Sequence, residues 1–523
     1  MKALVGPTLF VALVGFTTLC IRVGDGDVIL ALTPALVLGA LYFAWWVPLR
    51  WPLLVTTFLA LTLENPSDTP ACGQWKSPFY EVGETLLVHL NVTLPQYKAL
   101  VFSGLDVILA YLFLVAAVRY LKNSRIDASP QADMGPIGGF AAMSLVAAAW
   151  MWLYGVARGD ADVPSSLWQV QRVAYLPALV FLFQAGFRRS SDAAALGKVI
   201  VAAACLKAVL AVYIRATVPP PAGEPVLQYA TTHADSMLFA VAFCAVLALV
   251  VHRRRKRAFL AAVVLPLLLA GMIANGRRLA WVELAVGLAT IAVLTPWSAA
   301  KRRFLRGMVF ASPLFVLYAV AGWGSGSSVF APVHTLRSVV DSKADPSTMW
   351  RDLENYDLFY TLRHNAILGT GYGHGYNEIV WLPDISHAYA LYRYLPHNSI
   401  LGLWAYGGLI GFTALWMFLV AGVYLAARAY RHSVTVDDRT VALTAVATVV
   451  VYLAYCYGDL GLGTWTSVFL LAPAFAVSSR LAVATGAWPT VPAVIDLRPP
   501  AARRRAPSPI RAAEIRTSPV TSR

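Results

Sequence analysis

The chain of 523 residues alternates long apolar runs with short polar connections. A helix rises 1.5 Å per residue, so about 17–25 apolar residues cross the hydrocarbon core of a bilayer. Runs near this length occur at 4–22, 27–46, 50–64, 98–120, 137–157, 171–187, 196–214, 234–251, 258–274, 279–296, 304–322, 399–425, 440–457 and 464–482. The third is short and has Pro52 near its start, so we expect it to tilt or re-enter. The pattern predicts an all-α, polytopic transmembrane helix bundle of about 12–14 spans.

The amino-acid composition also indicates a membrane protein. Apolar residues make up 58% of the chain and charged residues 13%, whereas soluble chains carry about 25% charge. So few charges cannot cover the surface of a soluble protein of this size, which excludes soluble enzymes, coiled coils and disordered proteins. Five cysteines without a CxxC pair favour neither a zinc site nor a disulfide framework. We therefore expect no metal and no cofactor.

The net charge of +15 is explained by the membrane topology. In a soluble protein it would indicate nucleic-acid binding, but here the basic residues occupy alternate short connections, as on the cytoplasmic side of membrane proteins. They lie at Arg50, Arg119, Lys122, Arg125, Arg188, Arg189, 253–257, Lys301, Arg302, Arg303, Arg428 and Arg431. Single arginines on the other side, such as Arg158 and Arg215, are exceptions. We expect no nucleic-acid partner and place both termini in the cytoplasm.

The long connections then fall on the external side, at 65–97, 214–233 and 323–398. The last separates the first eleven helices, within 1–322, from the C-terminal helices at 399–482. The remaining residues, 483–523, are rich in Ala, Pro and Arg, which predicts a disordered, basic cytoplasmic tail. With no soluble domain at hand, any chemistry depends on the helices and the external loops.

Several arginines on the predicted external side are exceptions to the rule that basic residues lie on the cytoplasmic side. Arg277 and Arg278 lie in a tight turn between two runs, where they either reach lipid phosphates or form an anion site facing a cavity. Arg351, in an amphipathic stretch of the large loop, and Arg172, at the start of a run, either bind an anion or belong to a solvated, salt-bridged helix face.

Other polar residues fall within or beside the apolar runs. Asp106, Lys207 and Glu283 lie inside runs, and the simplest interpretation is mutual pairing that holds helices together. His397 opens a run, a position where a lone histidine is more often structural than catalytic. The other external histidines make the residue type unselective by itself: His233, His334, His364, His374 and His387.

The spacing after His397 is more specific. His397 and Asn398 are followed by nine residues, Gly408, two residues and Gly411. This order resembles the His-(Asn/Ser/Gln)-x9-Gly-x-x-Gly motif of the O-antigen ligase and polymerase superfamily of integral-membrane glycosyltransferases. That family also has an arginine in a small-polar turn between two spans, which the turn at 275–281 resembles with Arg278 at the matching position.

A further arginine of the family lies early in its large periplasmic loop, before a glycine-rich ending. Arg351, followed by the glycine-rich residues 365–373, is similar in order and spacing. The resemblance covers about 230–425 and extends to the N-terminal half only through topology. The chain departs from the family at Asn275 and Arg277, where serines are frequent, and this leaves the acceptor less defined than the chemistry.

The resemblance implies a multi-pass enzyme of the inner (plasma) membrane with a periplasmic active site. It would move a glycan from undecaprenyl diphosphate to an acceptor sugar hydroxyl, in polysaccharide polymerisation (slightly favoured) or in ligation to lipid A core. Transfer to protein is a third possibility. The lipid bilayer, a flippase and a chain-length regulator are the other partners implied. A transporter or flippase of lipid-linked oligosaccharides is the alternative from another class, although its usual internal repeats are not evident.

The resemblance also implies roles for individual residues. His397 would be the general base, because imidazole titrates near neutral pH. Arg278 and Arg351 would hold the diphosphate without a metal, since guanidinium groups bind phosphate oxygens bidentately. Arg277 and Arg172 are secondary candidates for that role. The remaining motif residues, Asn398, Gly408 and Gly411, would set the helix position.

The topology is tested by placing a single cysteine at Ser327→Cys in a chain whose natural cysteines are replaced by serine. We expect a membrane-impermeant maleimide to label it in intact spheroplasts, because the loop at 323–398 is external. A cysteine at Ser433→Cys, on the predicted cytoplasmic side, is the matched control and should react only after permeabilisation. The reverse pattern would invert the topology.

Overall fold

The computed structural model of the chain describes residues 10–11, 13–18, 21–22, 28–64, 77–93, 96–122, 135–188, 190–219, 229–253, 258–330, 333–334, 337, 346–381, 391–459 and 461–488. The fold within these ranges is all-α, as predicted; it contains no strand and one isolated bridge, between His89 and Ser103. The predicted disordered tail lies outside the described residues from 489 onward.

The helices follow the predicted runs closely. We label them α1 Val28–Trp46, α2 Arg50–Thr62, α3 Pro78–Leu87, α4 Gly104–Leu121, α5 Ile137–Ala157, α6 Val163–Gly186, α7 Ser190–Thr217, α8 Asp235–Arg253, α9 Ala258–Asn275, α10 Leu279–Leu294, α11 Ala299–Gly322, α12 Pro346–His364, α13 Ser399–His432, α14 Val436–Gly458 and α15 Trp465–Ala484. Single helical turns occur at Leu90–Thr93, Ser328–Phe330 and Gly461–Gly463.

Within the described ranges, nine helices are long and apolar enough to cross a membrane: α4, α5, α7, α8, α9, α11, α13, α14 and α15. This establishes a multi-pass membrane protein, while the full count of 12–14 spans stays a prediction. α10 is shorter but apolar. α2 has 13 residues, which at 1.5 Å each gives about 20 Å, less than the hydrocarbon core of about 30 Å. Its shortness agrees with the expected tilted or re-entrant segment.

Two helix starts differ from the predicted runs for identifiable reasons. α4 begins at Gly104 rather than 98, because Ser103 and Asp106 form a capping box in which Asp106 Oδ2 accepts from the Ser103 N–H at 2.6 Å. α6 begins at Val163 rather than 171. Its first turns carry Pro164, Ser165, Ser166 and Gln169, so the apolar run begins only at 171 although the backbone is already helical.

Burial divides the bundle into a centre and a periphery. α15, α8 and α14 are the most buried spans, with 78%, 61% and 61% of their apolar windows inside the protein. None of the corresponding residues of α11 is buried, and its Phe310 is 80% exposed. The central helices therefore hold the protein core, and α11 presents its apolar surface outward.

Part of the long connection at 323–398 enters the bundle. α12 is followed by residues 366–376, which we call the inserted segment. Its Thr370 N–H donates to the Ala405 carbonyl at 3.0 Å, and its Tyr372 N–H donates to the Met151 carbonyl at 3.1 Å. The inserted segment thus lies between α5 and α13 and fixes the end of α12 to both.

Three buried charges form a network between α7, the start of α8 and Glu64, which lies two residues after α2. Lys207 is 1% exposed, and its Nζ lies 3.2 Å from Glu64 Oε1 and 3.1 Å from Asp235 Oδ2. The expected mutual pairing of Asp106, Lys207 and Glu283 is wrong, because Lys207 is paired with Glu64 and Asp235 instead. Asp106 is held by its own capping box, and Glu283 accepts a hydrogen bond from Ser236 at 3.2 Å. The carboxylates of Asp106 and Glu283 thus accept hydrogen bonds from serine residues and not from Lys207.

We expect Lys207→Met to lower the free energy of unfolding by about 3–5 kcal/mol, because two buried carboxylates lose their shared cation. Chemical unfolding in mixed micelles measures the change. Lys198→Met, an exposed lysine of the same helix α7, is the matched control and should change stability by less than about 1 kcal/mol. Equal stability of the two variants would contradict a stabilising role for the network.

Candidate functional site

Four helix ends meet at one end of the bundle. Asp459, directly after α14, accepts a hydrogen bond from Ser399 Oγ, at the start of α13, on its carbonyl at 3.2 Å. Its carboxylate lies 3.2 Å from Nδ1 of His233, just before α8. Asn275, the last residue of α9, accepts from the Thr231 N–H at 3.0 Å. These contacts bring the α9–α10 turn, the start of α8, the end of α14 and the start of α13 together.

His397 lies in this cluster and is held by a carboxylate from the large loop. Its Nδ1 is 3.2 Å from Oε2 of Glu354 and its backbone N–H donates to the same oxygen at 3.1 Å. Glu354 is on α12 and only 1% exposed. Because Glu354 faces Nδ1, the favoured tautomer carries its proton there. Nε2, which no described residue contacts by a hydrogen bond, is then left as an acceptor.

The residues around His397 also determine the direction in which its pKa is shifted. Burial lowers the pKa of the imidazole, but the hydrogen bond and charge of Glu354 outweigh burial, and Asp459 adds to their effect. Arg351 opposes them. The net result is a pKa above the ordinary value, so His397 is a stronger base than an isolated histidine.

Two arginines of the cluster form no ion pair with a carboxylate in the part of the chain that the structure describes. Arg351, one helical turn before Glu354 on α12, makes no hydrogen bond or ion pair with a described residue. Arg277 lies over the Tyr229 ring at 4.5 Å, and its Nε and Nη2 are buried without a hydrogen-bond partner. Burial lowers the pKa of Arg277; Asp459 raises it, and Arg351 lowers it further. The two guanidinium groups are therefore close enough to repel each other.

The other two predicted arginines are placed differently. Arg278 is half-buried at the start of α10, where its carbonyl accepts from the Trp281 N–H at 3.1 Å. Arg172 lies over the Trp168 ring at 5.5 Å and lines a separate cavity. Of the two arginines in the α9–α10 turn, the electrostatics link Arg277, the secondary candidate, to Arg351 and Asp459.

The motif residues after His397 have structural positions. The Asn398 side chain caps α13 by accepting from the Leu401 N–H at 3.1 Å, and its Nδ2 donates to Asn355 of α12 at 3.0 Å. A Cβ on Gly411 would lie 2.4 Å from Met151 Sδ, so α5 and α13 are in close contact there. This agrees with the expected role of Gly411 in setting the helix position.

Gly408 has a different function from a helix contact. Its φ of 56° and ψ of −163° interrupt α13, and a Cβ there would lie 2.3 Å from the Gly369 nitrogen. The opened helix receives the inserted segment, since the Leu409 N–H donates to the Ala366 carbonyl at 2.8 Å. Only glycine combines this conformation with this approach.

Sequence reasoning missed three members of the cluster. Glu354 belongs to the amphipathic stretch of Arg351, which the sequence left open between an anion site and a solvated helix face, whereas the structure buries Glu354 against His397. Asp459 is the first carboxylate after the apolar run of α14, a signal that could have drawn attention to it. His233 was one of several external histidines, and nothing in the sequence distinguished it. Within the described ranges, no three His, Cys, Asp or Glu side chains are grouped as metal ligands.

No family model matches the chain, and no curated protein matches it. What the fold and the apolar helices define is an all-α, multi-pass membrane protein. Membership of the O-antigen ligase and polymerase superfamily stays a prediction from the motifs around His397, Arg278 and Arg351.

The His397–Glu354 contact predicts a change in titration. In Glu354→Gln the imidazolium loses its carboxylate, so we expect the pKa of His397 to fall. ¹³C NMR of the histidine-labelled protein, with His397→Gln to assign the signal, measures it. Asp352→Asn removes the same charge from an exposed position of α12 and should leave the titration nearly unchanged. An equal titration in wild type and Glu354→Gln would exclude the contact.

Proposed function

We propose that the protein is a membrane glycosyltransferase that moves a glycan from undecaprenyl diphosphate to an acceptor sugar hydroxyl on the external side of the inner membrane. The observation that carries the proposal is the placement of two unpaired guanidinium groups, of Arg277 and Arg351, beside the His397–Glu354 pair. An anion site thus lies next to a base.

The arginine pair favours an anionic ligand. Two like charges in a partly buried site are unfavourable unless an anion lies between them. Arg277 offers two donors without a partner, and Arg351 offers a full guanidinium group. A diphosphate has several charged oxygens, which such forks bind bidentately. In the proposed reaction these arginines bind the diphosphate of the donor and stabilise the charge that develops as it leaves.

His397, held by Glu354, carries out the proton transfer in the proposed reaction. Nε2 of His397 takes the proton of the acceptor hydroxyl, whose oxygen attacks the anomeric carbon of the donor. The bond between that carbon and the diphosphate oxygen breaks, and the electron pair leaves with the diphosphate. Glu354 holds the ring by Nδ1 and stabilises the imidazolium that forms. A single displacement of this kind would invert the anomeric configuration.

The alternative is a transporter of lipid-linked oligosaccharides, which would also present arginines to an anionic substrate. A carrier has no need of an oriented histidine whose free nitrogen lies beside the anion site. The His397–Glu354 contact at 3.2 Å therefore favours chemistry over transport. Between polymerisation and ligation to lipid A core we retain the slight preference for polymerisation, which rests on the resemblance alone.

We expect His397→Ala to reduce transfer roughly 10²–10⁴-fold, the range for loss of a general base, with donor binding almost unchanged. Arg277→Ala and Arg351→Ala should weaken donor binding about tenfold or more as well as transfer, since each removes charge-assisted hydrogen bonds. Lysine at either position should restore only part of the binding. Transfer and binding are measured with purified protein and a lipid-linked glycan in proteoliposomes.

Arg363→Ala, an exposed arginine on α12, is the matched control for charge loss and should keep transfer. Arg278→Ala separates the two arginines of the turn: since the electrostatic link to Arg351 and Asp459 is that of Arg277, we expect a smaller loss of donor binding than for Arg277→Ala. Well-folded His397→Ala protein with near wild-type transfer would remove the general-base assignment and leave the anion site standing.

A further inference from the structure

His233 is a second oriented histidine of the cluster, and the reaction proposed above does not use it. Its Nδ1 lies 3.2 Å from Oδ2 of Asp459, so the carboxylate holds the ring by that nitrogen. Ser236 Oγ donates to the His233 carbonyl at 2.9 Å and fixes the backbone at the start of α8. The side chain is 35% exposed, and no described residue hydrogen-bonds its Nε2. This nitrogen is therefore available to a ligand.

The segment of His233 is tied to the turn that carries Arg277. The Thr231 N–H and hydroxyl donate to Asn275 Oδ1 at 3.0 and 3.2 Å, and Asn275 Nδ2 donates to the Thr232 carbonyl at 3.3 Å. Asn275 is 1% exposed, so these hydrogen bonds are shielded from water. His233 directly follows Thr232, and Arg277 comes two residues after Asn275. The Asn275 side chain thus fixes the segment of His233 beside the turn of Arg277.

Tyr229 lies between the two side chains. The Arg277 guanidinium is over its ring at 4.5 Å, and the His233 ring meets the same ring edge to face, with centroids 4.7 Å apart. Nε and Nη2 of Arg277 lack a hydrogen-bond partner. The imidazole and the guanidinium thus flank one phenol ring, which is an arrangement that an anion with two phosphate groups can span.

The charges around His233 act in opposite directions. Asp459 favours the imidazolium form, whereas Arg277 disfavours it because like charges repel. The other titratable or charged groups on the neighbouring elements are Tyr229 before α8, Glu283 on α10, Arg351 on α12, His397 before α13 and Tyr455 on α14. A bound anion offsets the arginines and gives the imidazolium a second negative partner beside Asp459. Anion binding and protonation of His233 therefore favour each other.

We propose that His233 is a further ligand of the anion that Arg277 binds, and that it binds as imidazolium. Nε2–H donates to a phosphate oxygen while Nδ1–H donates to Asp459, and the second proton comes from solvent. The assignment rests on the diphosphate site of the proposed function but not on glycan transfer. Because imidazoles titrate between about pH 5 and 8, affinity for the anion is highest at the acidic end of this range and falls as the pH rises.

Isothermal titration calorimetry of the full chain in nanodiscs, with farnesyl diphosphate and with inorganic sulfate as probes, tests the assignment. At about pH 6 we expect His233→Gln to weaken binding of both probes about tenfold or more, the effect of one charge-assisted hydrogen bond. At about pH 8 the loss should be less than about threefold, because wild-type His233 is then mostly neutral. Sulfate keeps a fixed charge over this range, so its pH dependence reports groups of the protein.

Proton uptake and two further variants separate charge from structure. In buffers of different ionisation enthalpy, wild type should take up a proton when it binds sulfate at about pH 7, and His233→Gln should take up less. His233→Lys keeps a cation throughout this range, so it should bind more tightly than His233→Gln at about pH 8 and show little pH dependence. His364→Gln removes an exposed histidine of α12 and should retain the affinity and the pH dependence of wild type.

The outcomes separate this assignment from the proposed function. Equal pH dependence in wild type and His233→Gln, or no proton uptake by wild type, overturns the assignment, and the donor site stands if Arg277→Ala still loses binding. Binding that depends on His233 in a protein that transfers no glycan supports the assignment and removes the transferase function. No saturable binding of either probe overturns both. If His233→Gln does not fold, proton uptake by wild type and the pH dependence of His233→Lys give the decision.

Discussion

The site depends on how a mostly apolar protein accommodates charge away from bulk water. A buried ion is stable there only with a counter-charge or beside a polar cavity. Lys207 has two carboxylates within 3.2 Å and is fully matched inside the bundle. Arg277 and Arg351 have no carboxylate on their guanidinium groups. The fold thus pairs charges inside the bundle and leaves two guanidinium groups without an ion pair where helix ends meet, which is the arrangement expected for the anionic ligand proposed above.

The inserted segment gives this arrangement its geometry. α13 is interrupted at Gly408 and accepts the residues that follow α12, so the end of α12 is fixed to α5 and α13 by backbone hydrogen bonds. Asn355 of α12 also contacts Asn398, which caps α13. With both ends of the contact fixed, Glu354 reaches His397, and Arg351, one turn earlier, faces the same space. Gly408 of the motif therefore determines the position of a helix to which it does not belong.

Run length and charge alternation were sufficient to predict the helices, and α5 coincides with the run at 137–157. They failed at the start of α6, because its first turns carry Pro164, Ser165, Ser166 and Gln169 and are less apolar than a lipid-facing helix. The motif around His397 indicated the histidine and the arginines. It could not indicate Glu354, since an amphipathic pattern does not show whether its polar face meets solvent or another polar group. Asp459 and His233 are more than 200 residues apart in sequence, and only the packing of α8 against α14 brings them together.

Asp459 connects the elements of the His397 cluster. Its carboxylate contacts His233, and its carbonyl accepts from Ser399 next to the histidine motif. Its negative charge raises the pKa of Arg277 against the repulsion from Arg351, and it also raises the pKa of His397. In the proposed transferase the same carboxylate would therefore stabilise both the guanidinium that binds the donor diphosphate and the imidazolium that His397 becomes when it takes the acceptor proton.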